Sequence, residues 1–313
     1  MLLFTETTSN VHHYKAIPSI DQLISKLSHE QFIELQPELL MTFGGMVVSK
    51  KIKAFLRKYK PKDHWHVDVK KAYNTYNSLT EHIKTDAQEF LSNLLVNNSV
   101  FNNSGYQKKW LKIHEQKLIH HNEYLASAPY SDLKVFEAII NRLPQKLHLQ
   151  LSNSSTIRYT QLFKLSKQVA VFCNRGTSGI DGSTSTAIGA ATIHNYPTIL
   201  ITGDLSFFYD SNALWNNYIP KNFKIIVINN SGGGIFRILP ANKEADYFSS
   251  FLETSHNYKA KHLANMFGFN YQLAKEGNIH ECLNVFFESA NNEILEIETP
   301  KRVNDRVLLS YFS

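Results

Sequence analysis

The sequence predicts an α/β protein: an open, mostly parallel sheet flanked by helices in the second half, preceded by a smaller and incomplete α/β domain. Short, continuous apolar runs recur through the second half, and the segments between them are long enough for helices. Buried parallel strands have such runs of Ile, Val and Leu. The runs lie at residues 147–151, 169–173, 198–202, 224–228 and 294–298.

Length and composition agree with this prediction. The chain has 313 residues, of which 43% are hydrophobic and 19% charged, enough for about two domains and unlike a disordered chain. Two cysteines, Cys173 and Cys282, cannot form a disulfide framework and are expected to be reduced thiols of a cytoplasmic protein. No apolar stretch is long enough for a membrane span, and no secretory signal is expected, since the first residues lack a basic segment followed by a long apolar one.

The first half has a strand–helix–strand pattern. Residues 38–43 form an apolar run, 64–68 a second candidate strand, and 49–59 between them an amphipathic helix. Residues 80–125 are predicted to be mostly helical, interrupted by a polar surface loop at 97–105. We place the two domains at residues 1–126 and 127–313.

Three further helical features are predicted in the second half. Ser131 is expected to cap a helix that runs to Leu143, and Asp210 or Ser211 to cap another. Residues 183–194 form a helix of unusually small residues, which can approach a sheet or a cofactor closely.

Much of the net charge of +6 comes from one basic run in the first half. This run could be a nucleic-acid-binding face or the solvated side of a helix whose Ile52, Phe55 and Leu56 pack inward. We favour the solvated helix, and no nucleic-acid partner is expected. The basic residues are Lys50, Lys51, Lys53, Arg57, Lys58, Lys60 and Lys62.

Polar and glycine-rich segments follow two successive predicted strands. Gly203-Asp204-Leu205-Ser206 comes after 198–202, and the segment 229–234, Asn-Asn-Ser-Gly-Gly-Gly, comes after 224–228. Ligands of open α/β sheets bind beyond the carboxyl ends of the strands. A carboxylate and an amide oxygen suit a hard divalent cation, and glycines let the main chain approach an anion. Asn230 is 26 positions after Asp204, so adjacent strands would bring both to one edge. We therefore predict a metal–diphosphate site there.

A third segment, residues 174–182, follows the run 169–173. It is either a plain loop or part of the same site. Arg175 favours the second interpretation, because a guanidinium at a strand end is well shaped for a substrate carboxylate.

Gly-Asp followed by Asn-Asn at this spacing resembles the signature of thiamine diphosphate (ThDP)-dependent enzymes, although Leu205 stands where that signature usually has Gly. Four segments narrow the resemblance to the MenD family of menaquinone biosynthesis, in which Leu is the usual residue at this position. They are Asn153-Ser154-x-x-Ile157-Arg158, residues 174–182, residues 203–214 and residues 229–236. The resemblance implies a ThDP diphosphate-binding fold preceded by a partial, transhydrogenase-like middle domain.

The resemblance also implies a cofactor site with ThDP and either Mg²⁺ or Mn²⁺. Ile180 would support the bent form of the cofactor. The implied metal ligands are Asp204, Asn230 and the carbonyl of Gly232. The implied N–H donors to the diphosphate are Leu205, Ser206, Gly233 and Gly234, and Ser154, Ser178 and Gly203 also belong to the cofactor site.

The substrates implied by the resemblance are 2-oxoglutarate and isochorismate, joined with loss of CO₂. Arg158 and Arg175 would bind their carboxylates. Lys50 matches a middle-domain lysine that reaches the active site, or is one more surface lysine of the basic run. Three residues would form an apolar wall beside the isochorismate ring: Ile235, Phe236 and Leu239.

Enzymes of this type need a glutamate from a pyrimidine-binding domain, and no segment of 1–125 resembles that domain. We expect an incomplete chain, from a truncated or a split gene, that has little activity alone and self-associates into a homo-oligomer. Two alternatives stay open: another ThDP-dependent 2-oxo acid decarboxylase or synthase, and a non-catalytic module that keeps the cofactor fold.

The histidine pairs at 12–13, 64/66 and 120–121 are expected to be structural or surface residues, since no cysteine partners them at zinc spacing.

Overall fold

A computed structural model of the chain describes residues 1–97, 105–239 and 242–313. Contacts between residues divide the chain into one unit of residues 1–9 and 13–118 and a second of residues 10–12 and 119–313. The division predicted after residue 126 stays a prediction about domains. The surface loop predicted at 97–105 lies mostly outside the described residues.

The first unit contains a three-stranded parallel sheet of order β3-β4-β5 and a separate parallel pair, β1-β2. Its strands are β1 Leu3–Phe4, β2 Ala16–Ile17, β3 Leu39–Phe43, β4 Asp63–Val67 and β5 Glu81–Ile83. Its helices are α1 Ile20–Ile24, α2 His29–Leu35, α3 Lys50–Lys58, α4 Ala87–Asn97 and the first part of α5 Tyr106–Ser127. The predicted strand–helix–strand order β3-α3-β4 is confirmed.

The mostly helical structure predicted for 80–125 is wrong at its start, where β5 is a strand. β5 has only three residues, and it pairs in parallel with β4, His82 lying opposite His66. A strand this short has no periodicity of its own, so the hydrogen bonds of its neighbour decide its conformation.

Helix α3 has the amphipathic structure expected of the basic run. The Ser49 hydroxyl accepts the Ile52 N–H at 3.0 Å and caps the helix. Ile52, Phe55 and Leu56 are all at most 5% exposed. The prediction that these three residues pack inward is confirmed, and Lys50 and Lys58 are exposed.

The second unit is built on a six-stranded sheet of order β10-β11-β9-β8-β6-β7, in which all neighbours are parallel. Its strands are β6 Leu147–Leu151, β7 Val169–Cys173, β8 Thr198–Gly203, β9 Phe223–Asn229, β10 Asn270–Ala274 and β11 Glu293–Glu298. Each of the five predicted runs is a strand. Strand β10 was not predicted, because it lies at the edge of the sheet and is mostly only half-buried, so it lacks a continuous apolar run.

The helices of this unit pack around the sheet. They are α6 Asp132–Ile140, α7 Ser155–Thr160, α8 Ser183–Ala191, α9 Asp204–Tyr209, α10 Ile235–Ile238, α11 Lys261–Met266, α12 Ile279–Glu288 and α13 Asn304–Phe312. Helix α8 is the predicted small-residue helix and ends three residues earlier than expected. Its Ala187, Ile188 and Ala191 are buried in one cluster with Leu200 of β8 and Ile225 of β9.

Ser131 and Asp210 occupy the predicted N-cap positions, but neither side chain caps the helix that follows it. The Ser131 hydroxyl donates to the carbonyl of Pro129, and the first N–H of α6, that of Asp132, donates to Asn304 Oδ1 at 2.8 Å. The Asp210 carboxylate accepts from the main-chain N–H and the hydroxyl of Ser185, at 2.7 and 2.6 Å. It therefore caps α8, whose own N-cap residue, Gly182, has no side chain to do so.

Candidate functional site

The candidate site lies at the carboxyl edge of the six-stranded sheet, where the loops after β6, β7, β8 and β9 come together. Strands β8 and β9 are neighbours, so the segments that begin at Asp204 and Asn230 leave the same edge of the sheet. The Gly232 N–H donates to Asp204 Oδ2 at 2.9 Å. The prediction that these two segments meet is confirmed.

Asp204 is held by main-chain donors and faces a histidine. The carboxylate is 3% exposed, and its Oδ1 accepts the Leu205 N–H at 2.7 Å. His256 Nε2 lies 3.2 Å from Asp204 Oδ2, but this contact lacks the alignment of a hydrogen bond. Because His256 Nδ1 accepts the Tyr258 N–H at 3.1 Å, a neutral ring carries its proton on Nε2, next to the carboxylate. Sequence reasoning missed His256, which is a lone histidine far along the chain.

Asn230 presents an unused oxygen. Its Nδ2 donates to Asp132 Oδ2 at 3.0 Å, whereas its Oδ1 is buried and has no hydrogen-bond partner among the described residues. Buried polar atoms are nearly always satisfied, so this amide oxygen is open to a partner such as a water or a cation. Beside it, burial raises the pKa of Asp132 to about 6, against hydrogen bonds from Thr299 and Asn230 that lower it.

Three of the four N–H groups expected to bind the diphosphate have acceptors of their own. The Leu205 N–H donates to the carboxylate of Asp204. The Gly233 N–H donates to the carbonyl of Glu253 at 2.6 Å, and the Gly234 N–H donates to the carbonyl of Gly232 at 3.0 Å. A diphosphate at this turn would therefore have to replace these acceptors. The Gly232 carbonyl still has a second lone pair for a cation.

Three loops of this site each contain a serine in an unusual main-chain conformation. Ser154 after β6, Ser178 after β7 and Ser231 after β9 have φ values of 68°, 61° and 65°. Non-glycine residues rarely adopt this conformation, and such strain is typical of functional sites. At Gly232, with φ of 141°, a Cβ atom would lie 2.6 Å from the Glu253 carbonyl oxygen, so only glycine fits.

One asparagine organises the loop of Arg175. Asn153 is 2% exposed, and its Nδ2 donates to the carbonyls of Asn174 and Gly179 at 2.7 and 2.6 Å. Its Oδ1 accepts from Arg175 Nη1 at 2.5 Å. The Arg175 side chain is therefore held at the end of β6, while Arg158 lies further along, in α7. The sequence analysis included Asn153 in a motif but predicted no role for its side chain.

The glycine turn continues into α10, where an ion pair lies among the predicted apolar residues. Ile235, Phe236 and Leu239 are half-buried. Between them, Arg237 donates to both Glu253 carboxylate oxygens, at 2.5 and 2.6 Å, and Glu253 is 2% exposed. This ion pair was not predicted.

Another predicted site residue, Lys50, belongs to the first unit, where it is the first residue of α3. The histidine pairs lie away from metal-like arrangements: within the described ranges, no three His, Cys, Asp or Glu side chains are grouped to hold a metal ion. Both cysteines are free thiols, and burial raises the pKa of Cys173 to about 11.

Comparison with known proteins agrees with this geometry. Residues 2–151 match a family model described as the middle domain of thiamine pyrophosphate enzymes. Residues 154–295 match the C-terminal TPP-binding domain of thiamine pyrophosphate enzymes. Both family models describe domains of enzymes that use thiamine pyrophosphate, which is ThDP, and the parallel sheet agrees with the second of them.

The relatives narrow the class. A protein of Flavobacterium psychrophilum is 53% identical over 315 residues, covering 100% of this chain and 57% of the relative. One from Porphyromonas gingivalis is 36% identical over 323 residues, covering 100% of this chain and 56% of the relative. Both are named 2-succinyl-5-enolpyruvyl-6-hydroxy-3-cyclohexene-1-carboxylate synthase. The chain belongs to the family of these synthases, the MenD family.

The chain spans little more than half the length of the relatives it matches. In the part of the chain that the structure describes, no helix has the length and apolar character needed to cross a membrane.

Proposed function

We propose that this chain binds ThDP together with Mg²⁺ or Mn²⁺ at the carboxyl edge of its six-stranded sheet, as part of a synthase that joins decarboxylated 2-oxoglutarate to isochorismate. The product would be 2-succinyl-5-enolpyruvyl-6-hydroxy-3-cyclohexene-1-carboxylate, the compound in the relatives' names. The observation that carries the cofactor site is the buried, unpartnered Asn230 Oδ1, in the segment that joins Asp204 through Gly232.

Three oxygens would hold the cation: an Asp204 carboxylate oxygen, Asn230 Oδ1 and the Gly232 carbonyl. Mg²⁺ and Mn²⁺ prefer oxygen ligands of this kind. The diphosphate would accept from the N–H groups of Leu205, Ser206, Gly233 and Gly234. For Leu205, Gly233 and Gly234 it would replace the present acceptors. Ser154, Ser178 and Gly203 would line the cofactor site.

When bound, ThDP supplies the carbanion chemistry that decarboxylation and carbon–carbon bond formation require, and the protein supplies orientation and charge. Ile180 would support the cofactor, and its carbonyl accepts a hydrogen bond from the Ser206 hydroxyl at 2.5 Å.

The substrates would be bound by other residues. Arg158 and Arg175 would bind substrate carboxylates, and Asn153 orients Arg175. Ile235, Phe236 and Leu239 would exclude water beside the ring of isochorismate. A role for Lys50 stays a prediction.

The cofactor site is tested by calorimetric titration of the chain with ThDP and Mg²⁺. Asp204→Ala should weaken cofactor binding at least about tenfold, since it removes a direct ligand. Glu276→Ala is the matched control, because Glu276 follows β10, at the edge of the same sheet, but is exposed. Equal affinity of Asp204→Ala and the unchanged chain would contradict the proposed cofactor site.

The reaction is tested by turnover with ThDP and Mg²⁺, comparing 2-oxoglutarate plus isochorismate with pyruvate. The chain would be assayed alone and with a separately expressed pyrimidine-binding domain from a relative. Activity with 2-oxoglutarate only on addition of that domain is the expected result. Preference for pyruvate would favour another ThDP-dependent synthase, and full activity of the chain alone would contradict its expected inactivity.

A further inference from the structure

Asn230 makes its hydrogen bond to a residue that no motif includes. We propose that Asp132 is a positioning residue for the cation site: it holds the Asn230 side-chain amide in the orientation that leaves Oδ1 for the cation. The inference rests on the proposed function, because the cation site is the reason that the orientation matters.

Asp132 is placed for this role. It is the first residue of α6, it is 2% exposed, and its Oδ2 accepts from Asn230 Nδ2 at 3.0 Å. Its other oxygen, Oδ1, accepts from the Thr299 hydroxyl at 2.6 Å. Its main-chain N–H donates to Asn304 Oδ1 at 2.8 Å. With contacts on both oxygens and on the main chain, the carboxylate is fixed from three segments of the unit.

An amide side chain is nearly symmetric in shape but opposite in polarity at its two ends. An ionised carboxylate only accepts hydrogen bonds, so Asp132 selects the rotamer of Asn230 that turns Nδ2 towards it. The flipped rotamer would place two buried oxygens against each other and turn an NH₂ group towards the cation. In the selected rotamer Oδ1 is buried and has no hydrogen-bond partner, so its lone pairs are available to a cation. Carboxylates that orient metal ligands in this way are a recurrent feature of metal sites.

The neighbouring asparagine shows the same arrangement in a purely structural setting. Asn229 Nδ2 donates to Glu296 Oε1 at 2.5 Å, and its Oδ1 accepts the Ser231 N–H at 3.0 Å. Both ends of the Asn229 amide therefore have partners within the protein. The two adjacent asparagines each have a buried carboxylate on their Nδ2 group, but only Asn230 has a free oxygen.

The first test is Mn²⁺ binding in the presence of ThDP, followed by the electron paramagnetic resonance signal of free Mn²⁺. Asp132→Leu keeps the approximate shape and removes the acceptor, and should weaken Mn²⁺ binding by about ten- to a hundredfold. Asp132→Asn can still present an oxygen to Asn230 and should bind Mn²⁺ more tightly than Asp132→Leu. Thr299→Val removes a contact of Asp132 without touching Asn230, and should change the affinity less than about threefold.

Two results would overturn the inference: unchanged Mn²⁺ affinity in Asp132→Leu, or an equal loss in Thr299→Val, which would mean that Asp132 only supports folding. Asp204→Ala separates this failure from that of the proposed function. If Asp204→Ala and the unchanged chain bind Mn²⁺ equally, the cation site itself is wrong, and the positioning role falls with it.

The second test needs neither metal nor the Leu variant. The side-chain NH₂ resonances of Asn230, assigned by their absence in Asn230→Asp, should exchange slowly with water in the unchanged chain. In Asp132→Asn they should shift, because the acceptor loses its charge. Exchange as fast as that of an exposed asparagine would show that Asp132 does not hold the amide.

Discussion

The Ser206 hydroxyl donates a hydrogen bond of 2.5 Å to the main-chain carbonyl of Ile180. Ser206 follows β8, and Ile180 belongs to the loop after β7, two strands away in the sheet because β6 lies between them. One hydroxyl thus joins the turn proposed to bind the diphosphate to the residue proposed to support the rest of the cofactor.

This contact leads to a prediction for Ser206→Ala. Loss of one hydrogen bond, about 0.5–1.5 kcal/mol, should lower ThDP affinity by about two- to tenfold, because the two loops are no longer fixed relative to each other. Calorimetric titration with ThDP and Mg²⁺ measures this. Ser211→Ala is the control, since the Ser211 hydroxyl donates to the Phe208 carbonyl and joins no loop of the site. An unaltered affinity in Ser206→Ala would mean that the contact does not shape the cofactor site.

Asn153→Ala should destabilise the second unit by about 2–3 kcal/mol, because it removes two partly buried hydrogen bonds and leaves the carbonyls of Asn174 and Gly179 without their donor. The free energy of unfolding in urea measures this. Asn265→Ala, at an exposed position on α11, should change it by less than about 0.5 kcal/mol. Comparable losses in the two variants would contradict the organising role of Asn153.

Lys224→Met should also destabilise the second unit. Lys224 lies in β9, and its buried ammonium donates to the carbonyls of Phe286 and Ser289, both at 2.6 Å, at the end of α12. Met keeps the length of the side chain but leaves these helix-end carbonyls without a cation, which should cost about 1–3 kcal/mol in the free energy of unfolding. The exposed Lys221 provides the control, Lys221→Met, which should be close to neutral. If Lys224→Met left the free energy of unfolding unchanged, water would be satisfying these carbonyls in place of the ammonium.

Acid should destabilise the first unit through His64. Burial, aided by the charge of His66, lowers the pKa of His64 from 6.5 to about 4. The folded state therefore favours the neutral ring, and its stability is lost as the pH falls from about 6.5 towards 4. Between about pH 7.5 and pH 5 the loss from this group is about 2 kcal/mol.

Urea unfolding at these two pH values measures the effect. His64→Gln should reduce the pH dependence, whereas His262→Gln, at an exposed site, should keep it. A pH dependence that is the same in His64→Gln and in the unchanged chain would contradict the role of His64.

The sheet and half of the candidate site could be predicted from the sequence, for reasons that are local. Strands β6, β7, β8, β9 and β11 are continuous apolar runs, and Asp204 and Asn230 directly follow two of them. The edge strand β10 and the short strand β5 were missed, because neighbouring strands rather than their own residues give them their conformation.

The residues that contact the site residues lie far from them in the sequence, and no motif or spacing predicts these contacts. Asp132 is 98 positions before Asn230, and His256 lies well after Asp204. The same is true of Asp210, which from its position was expected to cap the next helix and instead caps α8.

The sequence by itself determined the fold class, the positions along the chain of five of the six strands and the residues that leave the carboxyl edge of the sheet, because hydrophobic periodicity and strand-end motifs are properties of neighbouring residues. Only the tertiary structure decided which oxygen of Asn230 is unpartnered, which acceptors already occupy the glycine turn and which side chain holds Arg175. These features depend on hydrogen bonds between segments that are distant in the sequence and come together only at the carboxyl edge of the folded sheet. The spacing of residues along the chain does not reveal which of them will meet there.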